Sequence, residues 1–264
     1  MNKTEIKMLE ILRYLKNEHD VIAVKAEFEA EGSRTDELVM LNEIIFRADM
    51  KLYIKIGGCE AVRDLDQCRL LGASGIMAPM IESPFAMKKF VSAAHKVYGN
   101  DWNDIEWIIN AETVLCHKNL DEIFEAGKGF LSTVSIGRVD LSASMGLTRD
   151  EINGDAVLAK TKDIAERAKA NGFIVNFGGG ISFHAIPFIL NMYPLNDRFE
   201  TRKVVFRSTD KIEKLKDGLL KAMEFETLYL KNKCDYYDRM AIEDQERLKM
   251  MIKRLEVAGS DLVI

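Results

Sequence analysis

The feature that most constrains this chain is an alternation: short apolar, β-branched runs, each followed by a longer segment with helical periodicity. The runs are Val21–Phe28, Lys51–Gly57, Gly75–Met80, Ile105–Thr113, Phe130–Gly137, Phe173–Gly179 and Phe199–Phe206. Helical stretches lie between them, at Asp36–Arg47, Ala61–Leu71, Pro84–Tyr98, Leu120–Ala126, Ala156–Ala170 and Phe183–Asn191. This spacing predicts an α/β fold of parallel strands joined by right-handed crossovers. Length then selects the closure. The chain has 264 residues, and about 250 is typical of a (β/α)8 TIM barrel. An open doubly wound sheet would carry a Gly-rich turn after its first strand, and GxGxxG is absent.

Seven runs read as strands, one short of a full barrel. Met1–Asp20 reads as a helix, so an eighth strand must be short or hidden, or the first strand irregular or absent. Four prolines and the lack of any Gly/Ser-rich tract leave little room for a linker. The barrel is therefore expected over residues 1–209. Residues 210–264 read as a C-terminal helical extension, packing on the barrel or on a partner subunit. Thirty-seven basic against 42 acidic residues, with no basic arm, argue against nucleic acid as a partner. The chain shows neither a membrane-spanning run nor a signal peptide, and Cys59, Cys68, Cys116 and Cys234 form no CxxC pair, so a reduced, cytoplasmic protein is expected.

Strands buried on both faces read as continuous apolar runs, and several of these do not. Lys25, Glu27 and Glu29 alternate along the first run, Lys55 lies in the second, Asn110 and Glu112 in the fourth, and Arg202 and Lys203 in the last. An unpaired buried charge costs several kcal/mol, so both signs near strand ends imply mutual pairing, a metal or a bound substrate. In a barrel they would meet at the C-terminal face, where such enzymes carry their active sites. A salt-bridged ring closing the mouth is the plainer alternative. Two carboxylates at adjacent strand ends could share one hard divalent cation, with water and substrate oxygens completing the shell. The segments Asn110-Ala-Glu112-Thr and Ser135-Ile-Gly-Arg-Val-Asp140-Leu-Ser offer such a pair, and there is no His or Cys cluster for zinc.

At these segments the chain resembles the HpcH/HpaI aldolase and citrate lyase family, lyases of the pyruvate/phosphoenolpyruvate barrel superfamily. The match is carried by Gly72-Ala-Ser-Gly-Ile-Met-Ala-Pro79-Met-Ile-Glu82-Ser, by Ile109-Asn-Ala-Glu112-Thr-Val with Asn119-Leu-Asp-Glu-Ile123, and by Ile136-Gly-Arg-Val-Asp140-Leu-Ser-Ala-Ser-Met-Gly146. The resemblance implies a metal-dependent carbon–carbon lyase acting on a 2-oxo acid, with Glu112 and Asp140 as ligands of Mg²⁺ or Mn²⁺. Asn110 would stand beside the metal, and the loop Gly137-Arg138-Val139-Asp140 would offer backbone N–H groups to the substrate carboxylate. A homo-oligomer is also implied.

Two departures from the family pattern stand out. Lys55 occupies the place of a family Arg, and Phe28 that of a family His associated with proton transfer. Lys55 would then offset enolate charge, and Glu27 or Glu29 would act as the acid/base. Lys25, the Gly178-Gly179-Gly180 turn, Arg202 and Lys203 would bind substrate, which could be phosphorylated or sugar-derived. Two other readings stay open: a Schiff-base lysine aldolase using Lys25, Lys55 or Lys203, and a divergent barrel that binds a metal or phosphorylated metabolite without aldol turnover.

Overall fold

The structure, a computed structural model, describes residues 1–261, with side chains of the last helix described to Leu255. It opens with helix α1 (Lys3–His19), started by a capping box in which the Asn2 side chain accepts from Glu5 N and the Glu5 carboxylate accepts from Asn2 N. Strands β1 (Val21–Glu27), β2 (Lys51–Lys55), β3 (Gly75–Ala78), β4 (Glu106–Ala111), β5 (Thr133–Gly137) and β6 (Ile174–Gly178) follow, each within a run read from the sequence. Helices α2 (Thr35–Arg47), α3 (Val62–Leu70) and α4 (Pro84–Tyr98) join the first four strands. Two short helices, α5 (Val114–Lys118) and α6 (Leu120–Ala126), join β4 to β5. Helices α7 (Arg138–Ser144) and α8 (Asp155–Ala170) then lead to β6, and α9 (Ile186–Met192) leads out of it.

The eighth strand lies at the far end of the barrel. The run Phe199–Phe206 is two strands, β7 (Arg198–Glu200) and β8 (Val204–Arg207), folded back on each other through Thr201-Arg202-Lys203. Eight strands close the barrel in sequence order. Strands β1 to β7 run parallel, and β8 pairs antiparallel with both β7 and β1. The first strand is present and pairs with β2 over five positions, but its register against β8 shifts between Val21 and Ala23.

An antiparallel last strand delivers the chain to the barrel's bottom, beside the end of α1. From there α10 (Ile212–Asp261) packs on α1 and climbs back toward the mouth. Leu215, Leu219, Ala222, Phe225 and Tyr229 bury one face of its first half, a stripe at helical spacing. At the mouth, Glu226 of α10 accepts from Thr201 Oγ1 and, at 3.1 Å, from Lys203 N. The C-terminal segment is therefore one long helix that ties down the β7–β8 hairpin.

Alternation along each strand sorts the barrel interior into layers. At the bottom, Glu106 accepts from Tyr53 Oη at 2.6 Å and Thr133 Oγ1 at 2.7 Å and pairs with Arg198. Above them Ala23, the Tyr53 ring, Met77, Ile108 and Val205 form a small apolar layer. The next inward positions, Lys25, Lys55, Asn110, Ser135, Asn176 and Glu200, are all polar and buried. The larger core lies outside the strands, between sheet and helices.

Candidate active site

Above the polar layer, at the C-terminal ends of the parallel strands, opens a cavity of about 420 Å³. Its lining includes Lys25, Glu27, Glu29, Lys55, Asn110 and Glu112 from the β1, β2 and β4 ends. Gly137, Val139 and Asp140 join them from the end of β5 and the start of α7, Gly178 to Ile181 from the end of β6 and the turn after it, and Thr201 and Arg202 from the hairpin. Of the charges expected from the sequence at one face, all but Lys203 are thus brought together.

Glu112 is the most enclosed of the acids, 1% exposed. Its Oε1 accepts from Met80 N at 3.0 Å and its Oε2 from Asn110 Nδ2 at 2.8 Å. Gly137 makes the room: a Cβ there would stand 2.6 Å from Glu112 Oε2. Burial, with the Asp140 charge adding to it, raises the Glu112 carboxyl above its usual range despite Lys55 and the two hydrogen bonds. A carboxylate in that condition favours a nearby cation. Lys55 supplies part of one, with Nζ 2.7 Å from Glu29 Oε2 and 3.6 Å from Glu112 Oε2. The Asn110 Oδ1 atom is buried and has no hydrogen-bond partner.

These groups bear on whether a metal fits. Among the described residues no three His, Cys, Asp or Glu side chains converge. Glu112, Asp140 and the unpartnered Asn110 Oδ1 are all hard oxygen donors, the set that Mg²⁺ or Mn²⁺ takes when substrate and water complete the shell. The residues present fit such a cation.

Lys25 sits across the cavity, 2.6 Å from Glu200 and 3.2 Å from Glu27. Burial works to lower its pKa, but the two carboxylates overcome this and raise it. Burial likewise opposes ionisation of Glu27, yet Lys25 holds that carboxyl below its usual value. Asn176 Nδ2 bridges Ser135 Oγ at 2.8 Å and Glu200 Oε2 at 2.7 Å. Arg202 is mostly exposed at the rim, 3.9 Å from Glu27 and 3.7 Å from Glu31. Lys203 lies behind the wall, paired with Glu31 and 4.4 Å above the Tyr229 ring.

Arg138 is fully buried and does not point into the cavity. Its Nε donates to Gly178 O at 3.1 Å, its Nη2 to Gly179 O at 2.6 Å and its Nη1 to Asn153 Oδ1 at 2.9 Å. The guanidinium lies 4.2 Å above the Phe188 ring. Burial pulls its pKa down to about 9, which leaves it a cation at neutral pH.

The sequence reading missed Glu200, Asn176, Glu226 and Arg149, which line or brace the cavity. Asn176 had a signal, a polar residue inside the apolar run Phe-Ile-Val-Asn-Phe. Glu200 had one too, sharing strand alternation with Arg202. Glu226 had none, since it comes from a remote helix.

A family model described as HpcH/HpaI aldolase/citrate lyase matches residues 18–177. Among solved structures, the HpcH/HpaI aldolase from Desulfitobacterium hafniense DCB-2 superposes with a TM-score of 0.60 at 15% identity, over 75% of this chain and 82% of that one. An HpcH/HpaI aldolase/citrate lyase family protein from Burkholderia cenocepacia J2315 gives 0.60 at 14% identity, over 75% and 83%. RipC from Yersinia pestis gives 0.53 at 13%, over 75% and 88%. These likenesses show a shared fold. A comparison with curated proteins returns no significant match, and among the described residues no helix is long and apolar enough to cross a membrane. By the family model, the chain belongs to the HpcH/HpaI aldolase/citrate lyase family.

Proposed function

We propose that this protein is a metal-dependent carbon–carbon lyase that makes or consumes the enolate of a 2-oxo acid at the barrel mouth. The supporting observation is the oxygen set of Glu112, Asp140 and the unpartnered Asn110 Oδ1, with Lys55 Nζ 3.6 Å from Glu112. A divalent cation held by Glu112 and Asp140 would supply Lewis-acid stabilisation of enolate charge. Glu112 is held for this work by Met80 N and Asn110 Nδ2. Lys55 brings a second positive charge toward the enolate oxygen, as a point charge without the fork of an arginine.

Glu29 is the better acid/base of the two candidates. Both are paired with a lysine, Glu29 with Lys55 at 2.7 Å and Glu27 with Lys25 at 3.2 Å, but the Glu29 side chain is 32% exposed against 10% for Glu27. In the cleavage direction the 4-hydroxyl proton of the substrate passes to the Glu29 carboxylate as the C3–C4 bond breaks. The electron pair stays on C3 as the enolate, and an aldehyde leaves. Return of a proton to C3 gives the free 2-oxo acid. Lys25 is poorly suited to a Schiff base, since its carboxylate partners keep it protonated, and Lys203 does not line the cavity. The test is exchange of pyruvate methyl protons into D₂O with Mg²⁺ or Mn²⁺, where loss of exchange in Glu112→Gln is the expected result.

A further inference from the structure

The Gly178–Gly180 turn lines the cavity on the side away from Lys55, and its backbone is held in an unusual way. Gly179 and Gly180 both have positive φ, 82° and 63°, a conformation glycine adopts at little cost. The carbonyls of Gly178 and Gly179 both point at the Arg138 guanidinium. In a trans peptide the C=O and the next N–H point in opposite directions. The N–H groups of Gly179 and Gly180 are therefore turned away from Arg138, and both residues line the cavity. Neither N–H has a hydrogen-bond acceptor among the described residues. Consecutive free amides in such a turn form an anion-binding concavity.

Arg138 adds a second observation. Among the described residues it is the buried Lys or Arg with no carboxylate within 4.0 Å; Lys25, Lys55 and Lys203 are each paired with acids. A buried cation without a counter-ion is unfavourable unless something supplies the negative charge. Arg149 and the loosely paired Arg202 stand on the same cavity's lining.

We propose that the Gly178–Gly180 turn is a second anion subsite, for a phosphate or carboxylate that the substrate carries away from its 2-oxo acid end, with Arg138 behind it as positioning residue and buried counter-charge. This rests on the proposed function for the word substrate, but the subsite can be tested without metal or 2-oxo acid.

The probes are inorganic phosphate and malonate, titrated calorimetrically into the intact chain without divalent metal; the stronger binder identifies the group. Amide resonances of Gly179 and Gly180 are expected to shift on binding. Two variants decide the role of Arg138. Arg138→Met removes both charge and turn contacts, and Asn153→Asp keeps every contact but places a carboxylate where Asn153 Oδ1 now lies 2.9 Å from the guanidinium. Both are expected to weaken anion binding at least tenfold, whereas a purely structural Arg138 would leave Asn153→Asp unchanged. Wild-type affinity within twofold in Asn153→Asp, or no anion binding by the wild type, overturns the proposal. If exchange of pyruvate protons fails while Arg138-dependent anion binding holds, the lyase reading fails and the subsite stands.

Discussion

Asn110 donates its amide N–H to Glu112 across 2.8 Å and keeps its own carbonyl oxygen buried without a partner. The donation fixes which way the Asn110 amide faces. It leaves an oxygen acceptor beside the carboxylate that the lyase reading assigns to the cation, so Asn110 both orients a ligand and offers one. Asn110→Leu should weaken Mn²⁺ binding by roughly 10- to 100-fold, the usual cost of losing a supporting group at a metal site. Calorimetric titration of Mn²⁺ checks this, and equal affinity in the variant would remove Asn110 from the site.

Lys55→Met separates charge at the enolate from charge at the metal ligands. Exchange of pyruvate protons should fall by about 10²-fold or more, the scale for removing one electrostatic stabiliser. Affinity for Mn²⁺ should stay the same or rise, because a cation 3.6 Å from Glu112 has been taken away. Loss of metal binding together with exchange would make Lys55 a structural strut instead.

Gly179→Ala places a side chain at φ 82°, with its Cβ 2.8 Å from Val139 N. The left-handed conformation alone costs about 1–2 kcal/mol. Thermal unfolding should show a decrease of that order or more, and anion binding at the turn should be lost with circular dichroism retained.

The barrel bottom predicts a pH effect on stability. Burial opposes ionisation of Glu106, but Arg198 and the hydrogen bonds from Tyr53 and Thr133 hold its carboxyl below the usual value. A depressed carboxylate contributes stability above its unfolded pKa, about 4.3. That contribution is lost as pH falls through the lower, folded value. Glu106→Gln should cost about 3 kcal/mol at neutral pH by leaving Arg198 without its acid. Urea melts should also show a shallower fall in stability below pH 4 for the variant than for the wild type.

The alternation of apolar runs and helical segments made the barrel legible, because parallel strands covered on both faces must be apolar and helices must follow them. The eighth strand was not legible. Thr201-Arg202-Lys203 carries no Gly or Pro to mark a turn, and β7 and β8 are three and four residues long, so Phe199–Phe206 reads as one strand. Lys25, Glu27, Lys55, Asn110 and Glu112 could be placed at one face because charge inside a buried strand demands a partner. Arg138 shows the limit of that reasoning. Its position directly after β5 was apparent, though the structure makes it the first residue of α7 and not part of a loop; the direction of its side chain depends on Gly178, Gly179 and Asn153, which only the folded chain brings near.

The lyase reading is tested most directly by proton exchange at the methyl group of pyruvate, followed by ¹H NMR in D₂O with and without Mg²⁺ or Mn²⁺. Exchange that requires the metal and is lost in both Glu112→Gln and Asp140→Asn is the expected result. No exchange above background with any divalent metal, from folded wild-type protein, would contradict it.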